Sequence, residues 1–524
     1  MFLAAVEIDK IQELIFQADK LKEMMGTSRL IAEAGVEVDR ILKKYPDVRP
    51  FWPVSGVFQF RAEELPKLAA CLWEITGYLS RNLGLSVTTH IQPRSEKNSF
   101  SSWMRDLEIG MRKAKASKNG EDGTPCLPPF APCSLLPCKS ANIWDPNLKG
   151  QQNRRRALIS YEASVRKPDE RGLPVVDFDP YEEYGMRNPH DFDDITIPNA
   201  ADSYIAFIKA DGDGLGKFLA HMQWDTVEWP NAPNEPHLKA SNFAKELGGV
   251  FRESLKEAIK NTISGQVGQV FPMTPILFGG EDLWIICRRD LAFNLVKNLS
   301  RTFQENGKQN EVVYNALKSS GIDDPLTMSF GILFAQKGYP FAAQAELVNE
   351  LIKNAKAYRR SLKEKEGCVD FHWLEASGRS TVREFRESGY CYQDNKKGFM
   401  LFTRPWTISE LETVLSAVKD LKGIARNKLM QWRQVLRAGG YASCALAHRW
   451  VAGLSPDEQV TWQNVVECLS GRLRPNSLLI TLKENASDSL DPGFWYVATD
   501  SERRTSILDL MEVLEITSVP NGSE

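Results

Sequence analysis

The stretch Tyr204-Ile205-Ala206-Phe207-Ile208-Lys209-Ala210-Asp211-Gly212-Asp213-Gly214-Leu215-Gly216-Lys217 decides the fold. Its first half is an apolar run of strand length, the pattern of a strand buried on both faces. Its second half is a glycine-rich turn that hands the chain to a helical stretch. That stretch is broken by a Trp/Pro/Asn-rich insertion at 224–236 and resumes to about Ile263. Val270–Phe278 then reads as a strand, Gly279-Gly280-Glu281-Asp282 as a tight turn, and Leu283–Cys287 as the hairpin partner. Leu291–Phe303 is helical, Thr327–Ala335 a strand, Ala342–Arg360 an amphipathic helix, and Val369–Trp373 a closing strand. Strand, helix, hairpin, helix, strand is the order of a ferredoxin-like unit.

The same order occurs at the N-terminus. Residues 1–8 form an apolar strand and Ile11–Phe16 opens a helical stretch. Gly26-Thr27-Ser28 interrupts it, with Ser28 predicted to cap a second helix running to about Leu42. Residues 51–60 read as two strand pieces about Ser55-Gly56, 65–83 as helical, and Leu85–Gln92 as extended. Two related folds in one chain are expected. The predicted class is α+β: a first palm-like unit at 1–92, a bridging region at 93–200, a second palm at 201–375 and a mostly helical domain at 376–524. The last is marked by Ser409–Leu436 and a terminal helix near Ser506–Ile516.

A chain of 524 residues is too long for a single core. Its formal net charge of -3 gives no global attraction to nucleic acid, so such contacts need local patches or other subunits. No apolar run approaches the ~20 residues of a membrane-spanning helix. Met1–Lys10 carries Glu7 and Asp9 and reads as a strand rather than a signal peptide. Nine scattered cysteines do not form a disulfide framework, and a cytoplasmic location is expected.

Three features of the second unit belong together. An apolar strand delivers Asp211 into a turn with glycines at 212, 214 and 216, and Lys217 lies beyond it. A hairpin tip carries the adjacent acids Glu281 and Asp282. A helix carries Lys356 after the strand Met328-Ser329-Phe330-Gly331. In a ferredoxin-like sheet the end of the first strand lies beside the tip of the central hairpin, so Asp211, Glu281 and Asp282 are expected to converge and hold two divalent cations, Mg²⁺ or Mn²⁺. Two such ions, roughly 4 Å apart, suit in-line phosphoryl chemistry, and magnesium needs only a few carboxylates. Gly212, Asp213, Gly214, Gly216, Lys217, Ser329 and Lys356 are the expected nucleotide contacts: the glycines let backbone N–H groups approach a triphosphate, and the lysines counter its charge. A Walker loop would need glycine at Asp211 and Ser or Thr at Phe218, and a Rossmann fingerprint would need G-x-G-x-x-G rather than the G-x-G-x-G present here. Taken singly, each motif reads equally as an ordinary turn, because Gly and Asp favour turns.

These paired motifs resemble those of the Cas-ten family (also called Cmr-two or Csm-one), the large subunit of type III CRISPR effector complexes. The likeness extends to Glu7-Ile8-Asp9-Lys10-Ile11-Gln12 with Gly26-Thr27-Ser28-Arg29-Leu30, to Met328-Ser329-Phe330-Gly331, Tyr339-Pro340 and Ala355-Lys356, and to Arg404-Pro405-Trp406 with the helix after it. The resemblance implies conversion of ATP to cyclic oligoadenylate or a related adenylyl messenger when target RNA is recognised. It also implies other effector subunits, guide RNA and target RNA as partners. By carry-over, Asp211 and Asp282 are metal ligands, and Glu281 stands where the family usually has the first aspartate of Gly-Gly-Asp-Asp.

The sequence departs from the family in two respects. Many members begin with an HD nuclease domain, whereas here the palm begins at residue 1. His190-Asp191 is the only His-Asp pair among six histidines and reads as part of an acidic loop. The family's cysteine cluster has its counterpart in Cys126, Cys133 and Cys138, whose spacings are not C-x-x-C, so zinc and plain loop thiols both stand as readings. The hairpin of the first palm has no acidic pair, leaving Asp9 without partner carboxylates. That palm is expected to be non-catalytic, with Ser28 and Arg29 as phosphate or ribose contacts. Two other functional classes remain: a non-catalytic scaffold subunit of the RNA-guided complex, and a GGDEF-like GTP cyclase.

Overall fold

The computed structural model describes residues 1–18, 20–54, 56–94, 99–118, 143–149, 156–159, 184–198, 203–264, 269–279, 282–320, 324–375, 381–394, 397–438, 440–472, 496–499 and 502–519. The mixture of sheets and helices is the α+β class predicted. No helix among these residues is long and apolar enough to cross a membrane.

The N-terminal sheet consists of β1 (Phe2–Ile8), β2 (Arg49–Val54), β3 (Val57–Ala62) and β4 (Val87–Pro93), in the order β2-β3-β1-β4. β5 (Ile143–Lys149) and β6 (Arg156–Ile159) pair with each other. The larger sheet takes β7 (Tyr204–Gly212), β8 (Met273–Gly279), β9 (Asp282–Arg288), β10 (Met328–Gln336), β11 (Cys368–Trp373) and β14 (Trp406–Thr407) in the order β14-β11-β10-β7-β9-β8. Both sheets therefore place the first strand between the hairpin and the strand that follows it. Each hairpin's outer strand carries proline, Pro50 in β2 and Pro275 in β8, beside a register shift. Proline lacks the N–H of a ladder and is tolerated at an edge or a bulge.

The two units share a core. Ala206, Ile208 and Ala210 of β7 face the helices Pro236–Ile263 and Ala292–Gln309 on one side of the large sheet. On the other side, Ile205, Phe207, Trp284 and Ile286 join a cluster with Phe16, Leu21 and Met24 of the N-terminal unit and with Val348 and Leu351 of the helix Phe341–Ser361. Phe16 is the wedge, with its ring 4.6 Å from Trp284 and 5.2 Å from Phe207.

Three expectations about the elements need correction. The helix predicted to start at Ser28 runs unbroken from Leu21 to Leu42, so Ser28 is interior and Lys20 is the N-cap. Gly26, Thr27 and Ser28 are buried, and small residues there serve packing rather than capping. The region after residue 92 is not all bridge: Ser99 caps a helix, Phe100–Ser117, whose Trp103, Leu107 and Met111 are buried against the first unit, with Trp103 Nε1 donating to Gln92 O at 3.0 Å. The C-terminal part also contains a sheet, β12 (Cys391–Asp394), β13 (Lys397–Met400), β15 (Tyr496–Thr499) and β16 (Glu502–Arg504), in the order β12-β13-β16-β15. The expected long helix Ser409–Leu436 breaks at the turn Leu421–Gly423.

The C-terminal part is joined to the palm through buried charge. Arg404, wholly buried, donates to Glu512 Oε2 at 2.6 Å and stands 3.5 Å from Asp509 Oδ1, with its guanidinium 4.1 Å from the centre of the Phe371 ring of β11. Burial pushes the Asp509 carboxyl up to about 6, against the opposing pull of Arg404.

Helix Phe341–Ser361 lies directly on β10 because Gly331 has no side chain: a Cβ there would come within 2.7 Å of Val348 O and Ile352 N. Both are backbone atoms and cannot turn aside. Gly331→Ala is expected to destabilise the protein by about 1–3 kcal/mol, the range for overpacking a filled core. Gly338→Ala, where nothing lies within 4 Å, should be close to neutral. Unfolding midpoints of the two variants in denaturant check this.

Candidate active site between the palms

Asp211 and Asp282 are brought together by strand register. β7 and β9 are antiparallel neighbours in which Asp211 pairs directly with Asp282, while Asp282 also pairs with Gly279 across the hairpin tip. Directly opposed residues share a sheet face with Cβ atoms about 5 Å apart, and like charges so placed repel. The fold answers this repulsion with two lysines. Lys356 Nζ lies 2.6 Å from Asp211 Oδ1 and 3.4 Å from Gly212 O. Lys209 Nζ lies 3.7 Å from Asp282 Oδ1 and donates to Asn349 Oδ1 at 3.0 Å. Its ammonium also sits 5.0 Å from the centre of the Trp284 ring. Burial pushes the Asp282 carboxyl above the ordinary aspartate range; Lys209 pulls it back and the charge of Asp211 pushes it further up.

Asp282 and Asn349 lie on the wall of a cavity of about 1220 Å³. Gly279, Asp282, Glu346 and Asn349 line it from the second unit, and Glu7, Lys10, Gln12 and Gln59 from the first.

The other predicted residues fall in different places. Gly214, at φ 74°, is the left-handed N-cap of the short helix Leu215–His221, a conformation that suits glycine. Gly216 and Lys217 are exposed on that helix, and Gly212 ends β7. Asp213 and Ser329, also expected as nucleotide contacts, have buried side chains bonded to each other. Asp213 accepts from Ser329 Oγ at 2.7 Å and Thr327 Oγ1 at 2.9 Å and lies 3.3 Å from Arg359 Nε. Burial nevertheless pushes its carboxyl up, against these three partners. Asp213 thus ties the turn to the start of β10. Ser28 is buried within its helix, and Arg29 pairs with Glu33 at 2.8 Å, one turn along the same helix. His190 is exposed, and Asp191 Oδ1 accepts from the backbone N–H of Asp193 and Asp194 as a turn cap. Gly280, Glu281, Cys126, Cys133 and Cys138 lie outside the described residues.

Three residues of the site were not foreseen. Lys209 was signalled by its lone charge in an apolar strand. Asn349 and Gln12 carry no such signal. Gln12 comes from the first unit, and its Nε2 donates to Asp282 Oδ2 at 3.3 Å.

Among the described residues no group of three or more His, Cys, Asp or Glu gathers as a metal cage. The donor set nevertheless suits magnesium, which is held by few carboxylates and by substrate oxygens. Asp211 Oδ1 and the Gly212 carbonyl converge on one cation in the structure, the Lys356 ammonium.

In the first unit the register places Glu7 where Asp211 stands, opposite Val57 and Thr88, and Asp9 where Asp213 stands. Asp9 accepts from Thr88 Oγ1 at 2.7 Å and Ser86 Oγ at 2.9 Å, and Lys118 Nζ is 3.5 Å away.

The raised Asp282 carboxyl has a consequence for stability. A carboxyl with a higher pKa folded than unfolded binds more protons in the native state, so stability is full below its unfolded value and declines as pH rises through the folded value. Asp282→Asn removes the charge and keeps the shape. The variant is expected to melt higher than wild type at pH 7, with the difference closing as pH falls below the ordinary aspartate range. Calorimetry across pH 3–8 reads this directly.

Residues 204–363 match the model of the Cas10/Cmr2 second palm domain. No curated protein matches the chain by sequence. Among solved structures, the chain is similar to a Csm1-Csm4 cassette in complex with cA3, at a TM-score of 0.54 and 14% identity. It is also similar to a Csm1-Csm4 cassette in complex with pppApA, at 0.51 and 15%, and to Csm1 of T. onnurineus, at 0.50 and 17%. Each comparison covers 98% of this chain and 69% of the other, and at such identities the likeness is one of fold. Residues 204–363 are thus similar to the second palm domain of Cas10/Cmr2, within a fold similar to that of Csm1.

Proposed function

We propose that this chain is the large subunit of a type III CRISPR effector complex, and that its second palm joins ATP into a 3′-linked adenylyl product, cyclic oligoadenylate or a relative, releasing pyrophosphate. The observation that carries this reading is the facing pair Asp211 and Asp282, with Lys356 on Asp211 and Asp282 on the wall of a cavity lined by both units. Solved neighbours of the same fold hold cA3 or pppApA and pair Csm1 with Csm4, which supports adenylyl chemistry and a partner subunit here.

Asp211, Asp282 and Glu281 would hold Mg²⁺ or Mn²⁺. Bound there, the ions supply activation of a 3′-hydroxyl and charge stabilisation of the leaving pyrophosphate. The chain's own residues do the rest. Lys356, paired with Asp211 here, would counter the charge of a triphosphate. The turn Gly212–Gly216 lets phosphate oxygens approach the backbone. The cavity between the palms is roomy enough for more than one nucleotide, as oligomer growth requires. With a net charge of -3, the chain should depend on its partner subunits for contact with guide and target RNA.

Incubating the assembled complex with labelled ATP, Mg²⁺ and matched target RNA should yield an adenylyl product and pyrophosphate, with GTP a poor substitute. Asp282→Asn should lower the rate roughly a thousandfold, since losing one ligand of a two-metal site costs several kcal/mol in the transition state. Assembly and RNA binding should be unchanged. A variant that works at the wild-type rate would overturn the assignment in favour of a scaffold role, and preference for GTP would point to a GGDEF-like cyclase.

A further inference from the structure

The first palm reaches into the second palm's site. The two oxygens of Asp282 are approached from opposite sides by groups from different units. Oδ1 faces the Lys209 ammonium at 3.7 Å, and Oδ2 accepts from Gln12 Nε2 at 3.3 Å. Lys209 belongs to the second palm and is itself fixed, buried under Trp284 and bonded to Asn349. Gln12 belongs to the helix Ile11–Phe16 of the first.

The position of Gln12 is built in. Phe16, one turn further along its helix, is buried between Phe207 and Trp284. Trp284 lies two residues beyond Asp282 on β9, and Phe207 two residues before Lys209 on β7, so the helix is anchored on the same sheet face that carries the acids. The chain enters this helix through Lys10 in the left-handed conformation, at φ 51°. A non-glycine residue is strained there, and such strain persists only where the surroundings demand the turn.

We propose that Gln12 is a positioning residue for Asp282: the first palm orients this carboxylate across the palm interface. The inference rests on the reading of Asp282 as a metal ligand. Gln12 has the right chemistry for the task. Its amide donates without carrying charge, so it fixes the rotation of the carboxylate while leaving the negative charge available to a cation. Any shift of the first palm relative to the second would change this hydrogen bond directly.

The test compares Gln12→Met, of similar reach but without a donor, with Asp282→Asn in the full-length chain. Mn²⁺ binding is followed by the electron paramagnetic resonance of the free ion, and ATP turnover is then measured in the assembled complex. Gln12→Met is expected to weaken Mn²⁺ binding about tenfold, the lower end of what loss of one hydrogen bond to a charged group predicts. It should lower kcat by a similar factor, with the KM for ATP and the melting temperature unchanged. Asp282→Asn should abolish tight Mn²⁺ binding. If Asp282→Asn loses the ion while Gln12→Met binds and turns over like wild type, the positioning role is refuted and the site stands. If Asp282→Asn keeps Mn²⁺ at wild-type affinity, the metal site itself is wrong and the role of Gln12 falls with it.

Discussion

Two aspartates set face to face across adjacent strands are the constraint on which this structure depends. Asp211 and Asp282 occupy a directly opposed pair, where like charges are unfavourable, and part of their surroundings is apolar. A fold seeking stability alone would separate them or replace one. Here the surrounding elements are arranged to tolerate them. Helix Phe341–Ser361 is pressed onto β10 at Gly331, and it carries both Lys356, which pairs with Asp211, and Asn349, which holds Lys209 beside Asp282. The upward shift of the Asp282 carboxyl is the residue of repulsion and burial that these partners do not cancel. Destabilised carboxylates in a cleft are what a site for divalent cations requires, because the ion relieves the repulsion that the empty protein bears.

The two ferredoxin-like units show the same scaffold in two electrostatic states. Strand order is the same in both, and each places an aspartate at or just past the end of its first strand. In the first unit, Thr88 and Ser86 donate to Asp9, and the hairpin opposite presents Val57 rather than an acid. In the second unit the hydroxyls of Ser329 and Thr327 go likewise to Asp213, while Asp211, in the register position of Glu7, pairs with Lys356 and faces the hairpin acid. What separates the two units is therefore the hairpin residue opposite this position, Val57 in the first and Asp282 in the second. The first unit keeps a mechanical part: its helix covers the second sheet through Phe16 and delivers Gln12.

What could be read in the sequence followed the periodicity. The long apolar run ending in Asp211 and the glycine-flanked acid pair revealed the second palm because central strands buried on both faces leave little ambiguity. Register then follows from topology, so Asp211 and Asp282 could be paired on paper. Helix Phe100–Ser117 was passed over although Trp103, Leu107 and Met111 recur at helical spacing, because its polar face dilutes the pattern within a proline- and cysteine-rich neighbourhood. Ser28 looked like a cap because Gly-Thr-Ser punctuates chains. In context those small residues allow close packing, which only the tertiary partner reveals. Asp213 and Ser329 looked like ligand contacts because polarity beside a glycine turn has two uses, and a sequence cannot say which way a side chain turns. Gln12 lies 270 positions from its partner, and no local signal spans that separation.

The junction at Arg404 extends the argument to the rest of the chain. Burying a guanidinium with Asp509 and Glu512 removes three charges from water, and such groups seldom add net stability over a well-packed apolar cluster. Their contribution lies in geometry, since a guanidinium presents a fixed fork and leaves little latitude in where the helix Ile507–Thr517 can sit. That helix is buried along nearly its whole length, and Arg289, immediately after β9, donates to Glu515 O at its end. The strand bearing Asp282 is thus braced at its far end by the C-terminal helix and at its near end by Gln12 of the first palm. A site that relies on two repelling carboxylates holding a fixed separation needs such restraint at both ends, because free strand ends would relax the pair apart.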